Sequence, residues 1–498
     1  MPLARTRGVV VAGVSGSLVD VEVEVAAGLP SVGVVGLPDA SVAEVRWRAR
    51  SALASIGATW PVQRVTISLS PAEVRKVGAG LDLPIAVGVL VATGQLPPEC
   101  VVDTVLLGEL GLDGSLRPVR GALAGVIAAR QARRIVIPAQ ALAEVAGSAG
   151  VIGATDLAEV VAILRGESPG VTGHPGAGGV PSSTADLADV RGHLQARLAL
   201  EIAAAGGHHL AMVGSPGVGK TLLAERLPSL LPDLDDEHAC EVAAIHALAG
   251  RGPRAPLPPF EAPHHSASTA ALIGTTSGAR VTPGAFVLAH HGVLFMDEAP
   301  EFARPSLEAL RQPLESGLVS LHRSGWSGLL PASFQLVLAA NPCPCGLRDT
   351  SDCACAPVAI RRYAGRLSGP LLDRIDLRLA MNRPAEAELA DPQPGESSAV
   401  VRARVGAARD RARRRFTSCE WEVNARIPAG ILRRRFAPDD AGQRALADYE
   451  QRSRSLRGPD RVLRVAWTLA DLASRDRPGI DDVAMALSLR GASTPWAA

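Results

Sequence analysis

The chain has 498 residues, enough for about three domains, and 47% of them are hydrophobic, ample for full cores. Its formal net charge of +1 excludes a global polyelectrolyte, so any contact with nucleic acid must come from local patches. The start, Met-Pro-Leu-Ala-Arg-Thr-Arg, lacks the apolar core of a signal peptide, and no uncharged apolar run reaches membrane-spanning length; the expectation is a soluble cytoplasmic protein without a membrane partner.

Residues 1–165 read as one α/β domain. Val9–Val14, Leu18–Val25 and Ser31–Val35 look like strands, Ala40–Ser55 like an amphipathic helix, and Arg64–Leu69 like a further strand. Leu83–Thr93 is an apolar helix, and Val105–Leu110 and Leu116–Val119 flank Asp113-Gly114, a hairpin signal. A helix over Arg120–Ala132, a strand at Ile135–Ile137 and a closing helix at Leu157–Leu164 complete the region. Gly78-Ala-Gly-Leu-Asp-Leu-Pro-Ile-Ala-Val-Gly88 and Gly108-Glu-Leu-Gly-Leu-Asp-Gly-Ser-Leu-Arg-Pro-Val119 resemble the proteolytic domain of Lon-type proteases, where a Ser–Lys pair does the cleavage. The resemblance implies that fold without that chemistry. The nucleophile position holds Asp82 and the lysine position Leu123, and neither can fill those roles. Residues 166–185, rich in Gly, Pro and Ser, read as a flexible linker.

Residues 186–383 carry the strongest motif. Leu187–Ala205 is mostly helical, with a break at Arg191-Gly192. The apolar His209–Val213 then leads into Gly214-Ser215-Pro216-Gly217-Val218-Gly219-Lys220-Thr221, which fits G-x-x-x-x-G-K-[ST] at every fixed position and is followed by the helix-forming Leu222–Leu227. Glycines let the backbone wrap phosphate, and amides at a helix start point at the anion. Lys220 is placed for the β- and γ-phosphates of ATP and Thr221 for Mg²⁺. An ordinary Gly-rich turn is the alternative, but Lys76 and Lys220 are the only lysines in a chain that otherwise uses arginine. An insertion from Asp233 to Phe286 precedes the next core strand, Gly292–Met296, which ends in Asp297 and Glu298. At the carboxyl edge of a parallel sheet, Asp297 would hold Mg²⁺ and Glu298 would activate water. Phe334–Ala340 is another buried strand, ending in Asn341, which either orients that water or simply caps the turn before Pro342. Residues 384–498 read as a helical lid, with helices over Val400–Phe416, Ala441–Arg452, Val462–Ala473 and Ile480–Leu489 and a short one at Gly430–Arg435.

These motifs, in this order, resemble the AAA+ ATPases. Ala262-Pro-His-His-Ser266, Pro283-Gly-Ala-Phe286, Leu288–Glu298, Leu310-Arg-Gln-Pro-Leu-Glu315 and Leu367–Asp376 narrow the resemblance to the magnesium-chelatase-like branch and, from end to end, to the ComM/YifB family. That resemblance implies a homo-hexameric ring with ATP sites between subunits, acting on DNA in branch migration, recombination or uptake of transforming DNA. It further implies that Arg374 is a finger entering a neighbour's site, the alternative being an ion pair with Asp373 or Asp376. In the segment Ser455–Arg464 it implies a sensor arginine acting in cis, Arg457, with Arg461 as fallback; Pro459 and Trp467 depart from the family pattern there.

Four of the seven cysteines, Cys343, Cys345, Cys353 and Cys355, follow Asn341 directly. Four thiolates at this spacing admit a structural zinc; reduced loop thiols or a redox pair are the alternative. His264, His265, His290 and His291 lack a suitably spaced carboxylate and read as structural or nucleic-acid contacts. Arg280 in the insertion and Arg323 in a hairpin over Leu318–Pro331 are placed to track a phosphate backbone if they line a pore. The run Arg402–Arg415 reads as a solvated helical face. Competing functions are a metal-chelatase motor subunit that remodels a partner, which the N-terminal domain argues against, and an enhancer-binding transcription activator. The latter carries a Gly-Ala-Phe-Thr-Gly-Ala loop, whereas here Gly284-Ala-Phe286 continues Val-Leu-Ala.

Overall fold

The computed structural model describes residues 3–12, 15–36, 44–73, 76, 79–145, 149–172, 185–251, 256–277, 280–323, 326–348, 352–389, 395–417, 419, 421–452 and 457–491. Most of the predicted linker, residues 40–43 of the first predicted helix and residues 453–456 lie outside that set.

The first part of the chain is built on a seven-stranded sheet. Its strands are β1 (Leu3–Ala12), β2 (Ser15–Ala26), β3 (Ser31–Val35), β4 (Arg64–Ser70), β5 (Thr104–Leu106), β6 (Arg134–Pro138) and β7 (Val151–Ala154), in the order β3-β4-β2-β1-β5-β6-β7. β2 pairs antiparallel with β1 and β4, and the other neighbours run parallel. Successive side chains of a strand face opposite sides, and both sides are covered. Val10, Leu106 and Val136 join the core under α1 (Val45–Ser55), α2 (Asp82–Ala92) and α4 (Leu157–Arg165). Val9, Val105, Ile135 and Ile137 join the core under α3 (Ala122–Ala128). Every residue of α2 is buried, which explains its apolar sequence all round. The two positions singled out by the protease resemblance are structural. Buried Asp82 takes a two-point ion pair from Arg48 (2.6 and 2.9 Å) and the Leu110 amide (3.2 Å), and Leu123 is buried under the sheet.

The second sheet has five strands, all parallel: β8 (Leu210–Gly214), β9 (Phe260–Glu261), β10 (Val293–Met296), β11 (Gln335–Ala340) and β12 (Leu377–Met381), in the order β9-β10-β11-β8-β12. β8, β10 and β11 are buried throughout, as the continuous apolar runs require. β9 corrects the sequence reading. It lies inside the stretch taken as an insertion, and so part of that stretch belongs to the core sheet. Helices α5 (Leu194–Gly206), α6 (Lys220–Ala224), α7 (Asp236–Leu248) and α8 (Pro357–Ala364) flank this sheet. The α5 start agrees with the predicted break, because Gly192 (φ +64°) and His193 (φ +55°) turn the chain just before it. Two antiparallel hairpins project from this region, Gly274–Ser277 with Arg280–Pro283 and Leu318–Arg323 with Trp326–Pro331; the side chains of Arg280 and Arg323 are outside the described set.

The C-terminal helices α9 (Ser398–Arg415), α10 (Asp440–Arg452), α11 (Gly458–Leu472) and α12 (Ile480–Gly491) share one core with α5 and the second sheet, through residues such as Val401, Val405, Val462, Val465 and Val483. A buried polar chain fixes the joint. His208 bonds Asp376 (3.1 Å) and Thr468 (2.7 Å), and Asp376 also pairs with Arg461. Trp467, which departs from the family pattern, is a core residue whose indole N–H donates to the Phe436 carbonyl at 2.7 Å.

Candidate nucleotide site

The phosphate-loop sequence forms the turn from β8 into α6. Gly217 (φ +75°) and Gly219 (φ +93°) take left-handed conformations that a side chain would strain, so the loop can curl only with glycine at these places. Lys220 is buried, and its ammonium donates to the carbonyls of Gly214 (2.7 Å) and Ser215 (2.9 Å) and to Asn341 Oδ1 (3.1 Å). Burial lowers its pKa, with Asp297 and Glu298 opposing the shift. Thus β8, β10 and β11 each deliver a group to one point at their C-terminal ends.

Thr221 Oγ1 donates to Asp297 Oδ2 at 2.7 Å, so a hydroxyl and a carboxylate meet where a hard cation between phosphates would sit. Asp297 Oδ1 accepts the Glu298 amide at 2.9 Å. That bond helps hold Glu298 at φ +49°, a conformation uncommon for a non-glycine residue. The Glu298 carboxylate is paired with His265 Nδ1 at 2.9 Å, a partner that sequence spacing did not suggest. Tyr363 on α8 is also new. It is buried, and its phenol pKa is pushed up to about 12 by burial, with Glu301 and Glu298 adding to the effect and the Asn341 amide opposing it.

Arg374 lies elsewhere. It precedes β12, at the N-terminal edge of the sheet, and lines an open cleft of about 970 Å³ together with Arg457, Arg461, Gly292 and Gln335. None of the phosphate-loop residues lines this cleft. Arg374 pairs with Glu315 and the Pro370 carbonyl, not with Asp373 or Asp376, and its pKa is lowered by burial and by Arg457, Arg311 and Arg461. Arg457 is exposed, and Arg461 is spent on Asp376. The structure therefore does not bring Arg457 to Lys220 of the same chain. The reason is where α11 packs: its start sits behind the sheet, at the edge opposite the phosphate loop.

The four cysteines converge. Cys343 Sγ lies 3.3 Å from Cys345 Sγ and 3.8 Å from Cys353 Sγ, Cys345 lies 3.7 Å from Cys353, and the four sulfurs, Cys355 included, fall within 4.8 Å of one another. The histidine pair before β10 has the carboxylate that sequence spacing seemed to deny it. Glu241, from α7, meets His290 Nε2 at 3.2 Å and His291 Nε2 at 3.0 Å. His290 Nδ1 accepts the Ser333 amide at 2.9 Å, so its proton sits on Nε2 and points at Glu241. This is a hydrogen-bonded clamp, and its three ligand atoms, all within 4.8 Å of one another, are also close enough to share a metal ion. Hydrogen bonding from His290 first, and then from His291, holds the Glu241 carboxyl down to about 2 against its desolvation.

Comparison with known proteins bears on the whole chain. Residues 186–389 match the family described as magnesium chelatase, subunit ChlI; residues 21–141 match subunit ChlI of Mg-chelatase, and residues 395–490 its C-terminal region. The chain is 49% identical over 500 residues to the uncharacterised protein Rv2897c of Mycobacterium tuberculosis, covering 98% of this chain and 99% of that one. It is 40% identical over 485 residues to the uncharacterised protein YifB of Escherichia coli, covering 96% and 94%. It is 37% identical over 491 residues to the competence protein ComM of Haemophilus influenzae, covering 96% and 95%. Similarity of this degree along nearly the full length of each relative, joined to the three matched regions, makes the chain a member of the magnesium-chelatase-like ComM/YifB family.

Proposed function

We propose that this protein is an ATP-hydrolysing AAA+ motor that assembles as a homo-hexameric ring and translocates or unwinds DNA in the cytoplasm. The observation that carries the reading is a site divided between two edges of one sheet. Lys220, Thr221, Asp297, Glu298 and Asn341 stand at the C-terminal edge, and Arg374 and Arg457 at the other. A five-residue strand such as β8 spans about 16 Å, so Arg374 is out of reach of its own chain's phosphates. Copies arranged head to tail in a ring bring the two edges together.

In this reading the loop amides and Lys220 cradle the triphosphate. Thr221 Oγ1 and Asp297 Oδ2 are the groups that would hold Mg²⁺, which would supply positive charge to the triphosphate when bound. Glu298 takes a proton from the attacking water as its oxygen bonds to the γ-phosphorus and the bond to the bridging oxygen breaks, releasing ADP. The Asn341 amide orients that water. A neighbour's Arg374 stabilises charge on the transferring phosphoryl group, and Arg457 beside it acts across the same interface. DNA is favoured as the partner because one relative bears the name competence protein, and because the two hairpins that carry Arg280 and Arg323 pack side by side.

A chelatase-type motor that remodels a protein partner is the second reading, and the magnesium-chelatase names of all three matched regions favour it. ATP turnover measured alone, with single-stranded or forked DNA, and with a chelatase partner complex decides between them. Stimulation by DNA supports the first; stimulation by the chelatase partner alone replaces it with the second.

A further inference from the structure

We propose that Cys343, Cys345, Cys353 and Cys355 bind one zinc ion, and that this ion braces the phosphate loop. Four ligands in a tetrahedron at a Zn–S distance of about 2.3 Å lie about 3.8 Å apart. Two of the sulfur separations, 3.7 and 3.8 Å, match that figure, and the third, 3.3 Å, is shorter by about half an ångström. They are far longer than the bond of about 2.05 Å in a disulfide. They are also too close for an iron–sulfur cluster, which places its own sulfides and several irons between the thiolates. Cys343 is fully buried while the other three reach the surface, so the site is closed on its inner side and loads from solvent.

The position of the site gives the ion a task. Cys343 stands two residues beyond Asn341, the acceptor of the Lys220 ammonium. The turn that begins at Cys343 closes through a bond from the Gly346 amide to the Cys343 carbonyl at 3.0 Å. Gly346 (φ +80°) lies flat against the phosphate loop. A Cβ built there would come within 2.5 Å of Pro216 Cδ and 2.6 Å of Pro216 Cγ. An ion tying Cys343 and Cys345 to Cys353 and Cys355 therefore locks the turn that touches both Pro216 and Asn341. Without the ion the turn keeps its own hydrogen bonds and packing but loses the tie to Cys353 and Cys355, and the loop loses a braced wall.

The second half of the proposal rests on the phosphate loop binding ATP; the first does not. The full-length chain is purified without chelator and its metal measured by mass spectrometry, then again after chelator treatment and zinc re-addition. Expected is about one zinc per chain, lost in Cys353→Ser and Cys355→Ser but retained in Cys419→Ser and in Lys220→Ala. Hydrogen exchange of the peptide over residues 210–224, without nucleotide, reads the brace directly: protection falls when zinc is stripped from the unmutated protein and returns when zinc is restored. Absence of metal, or iron in its place, overturns the zinc site. Zinc at full occupancy whose removal leaves that peptide's exchange unchanged overturns the brace. Failure of ATP hydrolysis alone touches neither outcome, since zinc content and exchange are both read without turnover.

Discussion

Replacing His265 with alanine should speed basal ATP hydrolysis. His265 Nδ1 sits 2.9 Å from the Glu298 carboxylate, a contact that competes with any proton the proposed base would take from water. A hydrogen bond to a charged group is worth about 1.5–3 kcal/mol when shielded. Here the side chains are 35% and 50% exposed, so solvent screens most of it and about 1 kcal/mol remains. One kcal/mol corresponds to about a fivefold ratio between held and released Glu298. His265→Ala should thus raise turnover without DNA by up to about fivefold, and leave the rate at saturating DNA unchanged if DNA acts partly by releasing the same contact. Phosphate release against ATP concentration, with and without forked DNA, measures both rates. The reasoning fails if His265→Ala loses activity as Glu298→Gln does, which would make the imidazole part of the catalysis. It fails equally if both rates stay at the wild-type level.

Glu298→Gln should bind ATP normally and hydrolyse it roughly 10²–10⁴-fold more slowly; near-normal turnover would remove Glu298 from the mechanism. Lys220→Ala and Arg374→Ala, each inactive alone, should regain activity when mixed, because some interfaces then join an intact loop to an intact finger; no recovery in mixed rings seen by native mass spectrometry would refute the shared site. His209 is half-buried at the open cleft, and its Nδ1 accepts the Leu336 amide at 3.0 Å. Burial pushes its pKa down to about 4, against which Asp376 acts weakly. The unfolded chain therefore takes up this proton first, and the stability present above pH 6.5 is lost as pH falls from there through about 4. Between pH 7 and pH 5 the loss attributable to His209 is at most about 2 kcal/mol; His209→Asn, which keeps an acceptor, should flatten the decline in denaturation midpoint, and an unchanged slope would rule the assignment out.

The parts of the site legible in the sequence are those coded within a few residues. The turn Gly214–Thr221 needs its glycines and lysine at fixed offsets, and Asp297 and Asn341 each end an apolar run that can only be a buried strand. What stayed hidden depends on contacts distant in sequence. Glu241 meets His290 and His291 across separations of 49 and 50 residues. β9 is two residues long and follows Pro258-Pro259, so it has no period to read. α11 shows a clear apolar stripe through Val462, Val465, Ala466 and Leu469, but a stripe tells that a helix packs and not against what. The family resemblance implies a cis sensor at Arg457, and the sheet stands between that residue and the phosphate loop of its own chain.

Helix α7 is a hinge pin shared by two bodies. One side carries Ala244, buried among Ala122, Leu123 and Val126 of the first sheet's covering layer, and Leu248, next to Gly121. The other carries Glu241 and Ile245, gripping the histidines and the apolar layer that lead into β10. A force that shifts the N-terminal layer thus reaches the strand bearing Asp297 and Glu298 through one rigid rod of 13 residues. Severing the chain in the Gly/Pro/Ser-rich stretch would not yield two tidy fragments. The nucleotide-site half would keep α7 with its alanine face stripped of cover, and should be the more adhesive of the two pieces.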